Sequence, residues 1–154
     1  MKYCAAIDLG ASSGRVSIGS LEDSTLQIHE VHRFKHEAHE NSNGTLRWQW
    51  NKIVEEVIRG LLKAQEFGEI VSIGIDTWAV DYGLLDSNGD LIEEPYCYRD
   101  SRTDGFMKSI SDSLGPDYIY SRTGIQFIFF NTAYQLHAAR NTKTLKEAKS
   151  FLML

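Results

Sequence analysis

The chain has 154 residues, 42% of them hydrophobic and 24% charged, and a formal net charge of −5. Its length and apolar content predict one domain with a hydrophobic core. The negative charge argues against nucleic acid as the main partner, because neutralising a phosphate backbone requires a basic face. No window reaches the roughly 18 consecutive apolar residues that span a membrane, so we expect a cytoplasmic protein without a membrane partner.

The two cysteines, Cys4 and Cys97, form no CxxC pair. A disulfide framework or a cysteine-based zinc site is therefore not expected. Cys4 lies inside an apolar run and is interpreted as a small core residue.

Three runs near the N-terminus alternate apolar and polar residues or are short and apolar, as strands do. They cover residues 3–9, 15–21 and 26–34 and are separated by short turns, which predicts a three-stranded antiparallel meander. Residues 36–47 are polar, with asparagines and a glycine at their centre. This segment is predicted to be a loop or the tip of a hairpin.

From Asn51 onward the apolar residues recur at helical spacing. They are Ile53, Val54, Val57, Ile58, Leu61 and Leu62. The pattern predicts an amphipathic helix of about four to five turns, with Asn51 as its cap and Gly68 at its end. Glu55 and Glu56 are assigned to its solvated face.

The next apolar segments are again strand-like. Residues 70–75 predict a buried strand, and residues 80–85 predict another, which the turn at 86–89 closes. A returning strand is expected to begin at residues 91–92. A mixed sheet with helices packed on it accounts for this order of elements.

The last third of the sequence is predicted to be mostly helical. Ser101 is a candidate cap, residues 115–116 (Gly-Pro) interrupt the pattern, and residues 131–140 predict a further helix. The sequence closes on the apolar run 149–154. Because termini usually lie at the surface, we expect the sequence to be truncated there.

The segment Asp8–Arg15 (Asp-Leu-Gly-Ala-Ser-Ser-Gly-Arg) joins the first two predicted strands. A carboxylate at the end of a buried strand needs a partner, and a hydrated Mg²⁺ is one. The two glycines allow a sharp turn and close approach to a ligand, while the two serines and Arg15 offer donors to a phosphate. The alternative is an ordinary Gly-Ser hairpin whose aspartate bonds backbone amides.

Two further segments carry polar groups suited to a polyol. In residues 74–81, Asp76 and Asp81 bracket Trp78, and a carboxylate with an indole suits hydroxyls and C–H faces. The alternative there is a β-turn with a core tryptophan. In residues 98–103, two arginines and an aspartate form a possible fork for hydroxyls, or else a salt-bridged loop that caps the next helix.

Four of the histidines, His29, His32, His36 and His39, do not predict a metal site. The first two are expected on opposite faces of a strand, and the other two lie in the predicted loop. No carboxylate or cysteine spacing completes a ligand set around them.

Taken together and in order, these motifs resemble the FGGY carbohydrate kinases. The resembling segments are 7–16, 31–34, 72–81, 98–103, 121–127 and 130–136. Within that family, DLGASSGR with IDTW-x-VD resembles the members that phosphorylate L-rhamnulose. The resemblance implies an α/β fold of the actin/hexokinase-like (ribonuclease H-like) type, a mixed sheet with flanking helices. Residues 1–154 would be the N-terminal lobe, and the C-terminal ATP-binding lobe would be absent.

The resemblance also implies the reaction, which is transfer of the γ-phosphoryl group of ATP to the C1 hydroxyl of L-rhamnulose, with Mg²⁺. The ATP phosphates would be bound by Ala11, Ser12, Ser13, Gly14 and Arg15, and the metal by Asp8. The sugar would be bound by Trp78, Ala79, Asp81 and Arg99. Two departures stand out, since relatives usually carry Gly at Ala79 and often carry Pro at Phe129.

The family places its catalytic base and adenine pocket in the second lobe, so no acid of this chain is expected to be the base. That second lobe would be the chain's partner within the same kinase. Three alternatives stay open at this point. They are a non-catalytic actin-like nucleotide-binding module, an FGGY kinase for another ketose or polyol, and a sugar-binding domain of another class.

Overall fold

The computed structural model describes residues 2–154, which divide into two compact units. The first unit comprises residues up to 38 together with residues 49–78, and the second comprises residues 39–48 and 79–154. The strands are β1 Lys2–Leu9, β2 Ser13–Glu22, β3 Thr25–Lys35, β4 Ala38–Glu40, β5 Leu46–Trp48, β6 Glu69–Asp76, β7 Tyr82–Leu85 and β8 Ser150–Met153. The helices are α1 Trp50–Gln65, α2 Phe106–Leu114, α3 Pro116–Thr123, α4 Thr132–Ala139 and α5 Lys143–Glu147.

The first unit contains a four-stranded sheet in the order β3-β2-β1-β6. The pairs β1/β2 and β2/β3 are antiparallel, whereas β1 and β6 run parallel. The predicted meander and the predicted mixed sheet are therefore confirmed. The segment 36–47 forms the hairpin of β4 and β5.

Helix α1 packs on the sheet through its smallest residue. A Cβ added to Gly60 would lie 2.4 Å from Cγ2 of Val16, so the helix approaches β2 closely. Ile53, Gly60 and Ala64 are buried, whereas Val54, Ile58 and Leu62 of the predicted apolar stripe are exposed. The sheet covers only one flank of that stripe. The capping prediction for Asn51 is wrong, since Gln49 precedes the first helical residue.

The prediction that residues 70–75 form a buried strand is wrong in one respect. The strand β6 exists, but Val71, Ile73 and Ile75 are 50%, 54% and 64% exposed. The reason is that β6 is an edge strand of the sheet. Cys4, expected in the core, is exposed as well, because it lies on the face of β1 opposite to the buried Ala5.

The second unit contains the two-stranded antiparallel sheet of β7 and β8. The predicted turn after β7 is present, with the N–H of Gly89 donating to the carbonyl of Asp86 at 3.2 Å. The returning strand reduces to a single bridge between Leu85 and Leu91. Within the described residues, no helix has the length and apolar character needed to cross a membrane.

The helices of the second unit begin at residues that commonly precede or open a helix. Pro116 opens α3 directly after Gly115. The predicted helix at residues 131–140 is present as α4, with Asn131 at its N-cap position. Ser101 is not a cap. The carboxylate of Asp100 accepts from the N–H of Arg102 and caps the short 3-10 turn Ser101–Thr103 instead.

Candidate functional site

The turn between β1 and β2 leaves its tip open to solvent. The N–H of Gly10 donates to the carbonyl of Ser13 at 2.9 Å, and the carbonyl of Ser12 accepts from the N–H of His36 at 3.2 Å. Ala11 and Ser12 are exposed. The turn is therefore braced from both sides while its outer surface stays accessible to a ligand.

Gly14 has a packing role that the sequence did not reveal. A Cβ at this position would lie 2.3 Å from Cζ of Phe34 and 2.9 Å from Cδ2 of Leu9. Neither Gly10 nor Gly14 has a positive φ. These two positions therefore do not need the left-handed backbone conformation that glycine tolerates best. Gly14 is small because Phe34 packs across the strand at that point.

Asp8 and Arg15 face each other across β1 and β2 and form an ion pair. Nε of Arg15 donates to Oδ2 of Asp8 at 2.8 Å, and Nη2 donates to the same oxygen. The side chain of Asp8 is 41% exposed and that of Arg15 is 49% exposed. The carboxylate at the end of β1 thus has a protein partner and remains reachable from solvent.

Asp76 adds a second carboxylate that sequence reasoning had grouped with Trp78. It stands in parallel register with Asp8 on the neighbouring strand β6. Among the described residues, no group of three or more His, Cys, Asp or Glu side chains is arranged to hold a metal. Mg²⁺ is commonly held by one or two carboxylates with phosphates and water, which fits this donor set.

An open cleft of about 990 Å³ lies beside the turn in the first unit. It is lined by Ser12, Ser13, Arg33, Phe34, Lys35, His36, Glu37, Gln49, Lys52, Glu55 and Glu56. The ring of His36 lies 5.6 Å from that of Trp78. The serines of the turn and His36 therefore line one cleft, and Trp78 packs against His36 without lining the cleft itself.

His32 connects the sheet of the first unit to α1 near that cleft. Its Nε2 lies 2.6 Å from Oε2 of Glu56, and its Nδ1 lies 3.0 Å from Nζ of Lys63. Because an ammonium only donates, Nδ1 accepts and Nε2–H donates to the carboxylate. This hydrogen bond lowers the pKa of Glu56. The Glu56 side chain is 25% exposed and Glu55 lies on the exposed side of α1, so the expected solvated face is present but Glu56 also has a protein partner on it.

The expectation that His29 and His32 lie on opposite faces is wrong. A bulge shifts the β2/β3 register between Val16 and Ser17, so that His32 pairs with Val16 and His29 with Ile18. Val16 and Ile18 belong to the same face of β2. The extra residue of a bulge changes the side-chain alternation, and spacing alone does not reveal it.

Asp81 is fully buried in the second unit. Its Oδ2 accepts from Nε1 of Trp48 at 2.6 Å and from the N–H of Tyr98 at 3.0 Å. Its Oδ1 accepts from Nε2 of Gln135 at 2.8 Å. The carboxylate thus ties three segments of the chain together, and a direct bond to a sugar hydroxyl requires part of this network to open.

The Tyr98–Thr103 segment was predicted either to bind hydroxyls or to form a loop that caps the next helix, and its residues differ in which role they fit. Arg99 is exposed, and its Nη2 donates to Oη of Tyr98 at 3.0 Å. Asp100 is buried and accepts from the N–H of Leu46 at 2.6 Å. Its contacts confirm the loop-and-cap interpretation for Asp100, whereas Arg99 lies at the surface, where a ligand can reach it.

The guanidinium groups of Arg47 and Arg102 lie 3.3 and 3.7 Å from the centre of the Tyr96 ring. Two such groups cannot share one face at these distances, so they cover opposite faces of the ring. Burial lowers the pKa of Arg102. The stack fixes the start of the Tyr98–Thr103 segment against β5.

The family of the chain follows from comparison with known proteins. Residues 3–154 match the N-terminal domain of the FGGY family of carbohydrate kinases. The chain belongs to this family. It shares 46% identity with a rhamnulokinase of Mannheimia succiniciproducens over 97% of its length, and 41% with one of Bacillus subtilis, also over 97%. It spans 32% and 30% of those relatives, respectively.

Solved structures of sugar kinases have the same fold. A gluconate kinase from Lactobacillus acidophilus superposes with a TM-score of 0.82 at 14% identity, covering 98% of this chain and 31% of that one. A glycerol kinase from Plasmodium falciparum with ADP gives 0.73 at 18% identity, covering 95% of this chain and 30% of that one. The predicted α/β, actin/hexokinase-like fold is confirmed.

Two residues of the candidate site were missed by sequence reasoning, Asp76 as a neighbour of Asp8 and Gln135 as a partner of Asp81. Asp76 lies in the resembling segment 72–81. Its position beside Asp8, however, depends on the parallel pairing of β1 with β6, which are far apart in sequence. Gln135 lies in the resembling segment 130–136, which was the available signal, although nothing local gave its role.

Proposed function

We propose that the protein carrying this chain transfers the γ-phosphoryl group of ATP to the C1 hydroxyl of L-rhamnulose, giving L-rhamnulose 1-phosphate. The observation that carries the proposal is the identity to proteins named rhamnulokinase, 41–46% over nearly the whole chain in the two relatives described. Membership of a carbohydrate kinase family supports the same reaction class.

Ala11, Ser12, Ser13, Gly14 and Arg15 would hold the ATP phosphates on the open side of the turn. Asp8 would hold Mg²⁺, with Asp76 beside it in register. When bound, the metal would neutralise charge that develops on the phosphoryl oxygens. Phosphate binding would also draw on Arg15, whose guanidinium pairs with Asp8.

Trp78, Ala79 and Arg99 would contact the sugar. The indole would cover C–H faces and the guanidinium would donate to hydroxyls. Asp81 would act by holding these segments, since its carboxylate accepts hydrogen bonds from Trp48, Tyr98 and Gln135. Ala79 and Arg99 are exposed and Trp78 is half-buried, so these three would touch the sugar, whereas the buried Asp81 would hold their surroundings in place.

No residue of this chain is assigned the role of catalytic base, and the chain covers about a third of its relatives. Phosphoryl transfer depends on positioning and charge neutralisation from both sides of a cleft. We therefore expect the isolated 154 residues to have no kinase activity, and the second lobe of the same kinase to complete the site.

The test compares the 154-residue chain with the full-length product of its gene. Each is assayed for ADP release with ATP, Mg²⁺ and L-rhamnulose, xylulose or glycerol, and the product is mapped by NMR. We expect activity in the full-length protein only, with preference for rhamnulose. Preference for xylulose or glycerol would overturn the narrower assignment, and absence of transfer to any sugar would favour a non-catalytic nucleotide-binding module.

A matched pair of variants tests the role of Asp8. Asp8→Asn in the full-length protein is expected to raise the Mg²⁺ concentration needed for half-maximal activity. Asp23→Asn is the control, because it makes the same change in the turn between β2 and β3 at a position with φ of 46° that Asn also tolerates. Equal Mg²⁺ dependence in both variants would remove Asp8 from the metal site.

A further inference from the structure

Gln135 is a buried polar side chain, 1% exposed, whose amide bonds to three segments of the second unit, residues 80–81, Arg102 and Phe130. The two N–H groups of its Nε2 face three acceptors, the carbonyls of Val80 and Phe130, each at 3.0 Å, and Oδ1 of Asp81 at 2.8 Å, so two of these acceptors share one N–H. Its Oε1 accepts from Nη2 of Arg102. A buried amide is tolerated only when its polar atoms are paired, and here both ends are.

The bond from Gln135 to Asp81 continues to the next segment. The carboxylate of Asp81 accepts from the N–H of Tyr98 at 3.0 Å. Tyr98 in turn accepts at its hydroxyl from Nη2 of Arg99 at 3.0 Å. One side chain of α4 therefore reaches the segment that carries Arg99 through a single intermediate.

The same amide also holds the segment that carries Ala79. The carbonyl of Val80 accepts from Gln135 and from Oγ1 of Thr132 at 2.8 Å. Ala79 has φ of 55°, a left-handed conformation that a residue with a Cβ adopts only when its surroundings impose it. The two bonds on the carbonyl of Val80 supply such a constraint from α4.

We propose that Gln135 is a positioning residue of the sugar site, which orients Ala79 and Arg99 without touching the sugar. This proposal rests on the proposed function, because it takes Ala79 and Arg99 as sugar contacts. The hydrogen bonds of Gln135 itself go to Val80, Asp81, Arg102 and Phe130, all outside the phosphate turn. Their loss is therefore expected to change the KM for the ketose and to leave the KM for ATP unchanged.

The principal variants are made in the full-length protein. Gln135→Glu removes the donors and places a carboxylate against Asp81, whereas Gln135→Met keeps the volume and removes every hydrogen bond without adding charge. Each is expected to raise the KM for L-rhamnulose about tenfold, since displacements near 1 Å at supporting residues can cost about 100-fold in rate. If Gln135→Glu does not fold, Gln135→Met gives the same test.

A rescue variant separates positioning from general damage. Combining Asp81→Asn with Gln135→Glu exchanges donor and acceptor. The introduced amide would donate to the introduced carboxylate, while the amide oxygen accepts from Trp48 and Tyr98. The double variant is expected to have a ketose KM closer to wild type than Gln135→Glu alone. Thr132 still donates to the carbonyl of Val80, which preserves part of the turn.

Two controls accompany these variants. Gln126→Glu makes the same chemical change at an exposed glutamine of the second unit and is expected to alter neither KM. Leu84→Ala removes buried side-chain volume from the same unit and is expected to lower the melting temperature without changing the ratio of the two KM values. The first control measures the effect of an added charge on the two KM values, and the second measures the effect of lower stability.

Hydrogen exchange at the N–H of Tyr98 gives a readout independent of activity. That amide donates to the buried Asp81, so its exchange is expected to accelerate in both Gln135 variants and to slow again in the double variant. An unchanged ketose KM, a parallel rise in both KM values, or no recovery in the double variant would overturn the proposal. A full-length protein inactive on every ketose would overturn the proposed function as well.

Discussion

Ala79 has a left-handed backbone conformation that its surroundings impose. The resemblance implies glycine at this position in relatives, and the φ of 55° that Ala79 adopts lies in the left-handed region. A Cβ in this region costs about 1–2 kcal/mol relative to the right-handed conformation. This backbone conformation would by itself favour glycine over alanine at position 79.

Ala79→Gly is predicted to stabilise the chain by about 0.5–1 kcal/mol, because relief of the left-handed strain exceeds the entropy that glycine gains in the unfolded state. Urea unfolding measures the difference. Ala133→Gly in α4 is the matched control and is expected to destabilise by about 1 kcal/mol, as glycine does inside a helix. Opposite signs for the two substitutions are the expected result, and destabilisation at both positions would contradict it.

The two cysteines are predicted to differ in reactivity. Cys97 is buried and its pKa is raised to about 11 by that burial, whereas Cys4 is exposed. Because the thiolate is the reactive form, iodoacetamide at about pH 8, near the ordinary thiol pKa, is expected to modify Cys4 and spare Cys97 in the folded chain. Mass spectrometry locates the label, and both thiols should react in denaturant. Early labelling of Cys97 would contradict the fold of the second unit.

At the level of elements, the contact between α1 and β2 depends on the absence of a side chain. A Cβ on Gly60 would lie 2.4 Å from Cγ2 of Val16 and 3.2 Å from Cβ of His32. The helix therefore lies closer to the sheet than an alanine would permit. Local helix preference and tertiary packing make opposite demands at this position.

Gly60→Ala is predicted to destabilise the chain by about 1–3 kcal/mol, since overpacking outweighs the gain of about 1 kcal/mol in helix propensity. The free energy of unfolding in urea measures the effect. Gly74→Ala in β6 is the control, because an added Cβ there meets nothing within 4 Å. If Gly60→Ala were the more stable of the two variants, the packing of α1 on β2 would be wrong.

The link between β3 and α1 is predicted to weaken in acid. The hydrogen bond from His32 lowers the pKa of Glu56 below 4.5, so the folded state binds this proton less readily than the unfolded state. The stabilisation is therefore present above pH 4.5 and is lost as the pH falls through the folded pKa. Unfolding of Glu56→Gln between about pH 3 and 6 should show a shallower dependence on pH.

Glu55→Gln provides the comparison for that experiment, because Glu55 is the exposed neighbour on the same helix. It removes the same charge without touching His32. Its pH dependence is expected to match that of the unmodified chain. Equal slopes in all three proteins would show that the His32–Glu56 bond does not contribute to stability.

On the scale of the whole molecule, the chain presents large apolar side chains that ordinary folded domains would cover. Ile73 and Ile75 on β6 stand in register with Ala5 and Ile7, which are buried. They therefore lie on the sheet face that carries α1 yet remain exposed. Apolar patches of this kind promote association, and an unpaired edge strand adds to it.

The purified 154-residue chain is predicted to self-associate as its concentration rises, and the double substitution Ile73→Thr with Ile75→Thr is predicted to reduce this. Threonine keeps the β-branched shape that strands favour. Sedimentation velocity measures the change. Ile28→Thr is the control, since Ile28 is also 64% exposed but lies on β3 at the other edge of the sheet. An equal effect of Ile28→Thr would exclude the β6 edge as the associating surface.

Neighbouring residues predict most of the strands and helices, the family, and the chemical character of the segments around Asp8, Trp78 and Arg99. Strands and helices follow from the periodicity of apolar residues and from turn residues, and these two signals are visible in neighbouring positions of the sequence. Contacts between distant residues specify the rest, and they appear only in the folded chain. Folding places Asp76 beside Asp8, fills the space above Gly14 with Phe34, and pairs Asp81 with Gln135 across 54 positions. Local patterns do not reveal these contacts, because the burial that makes them strong exists only once the chain has folded.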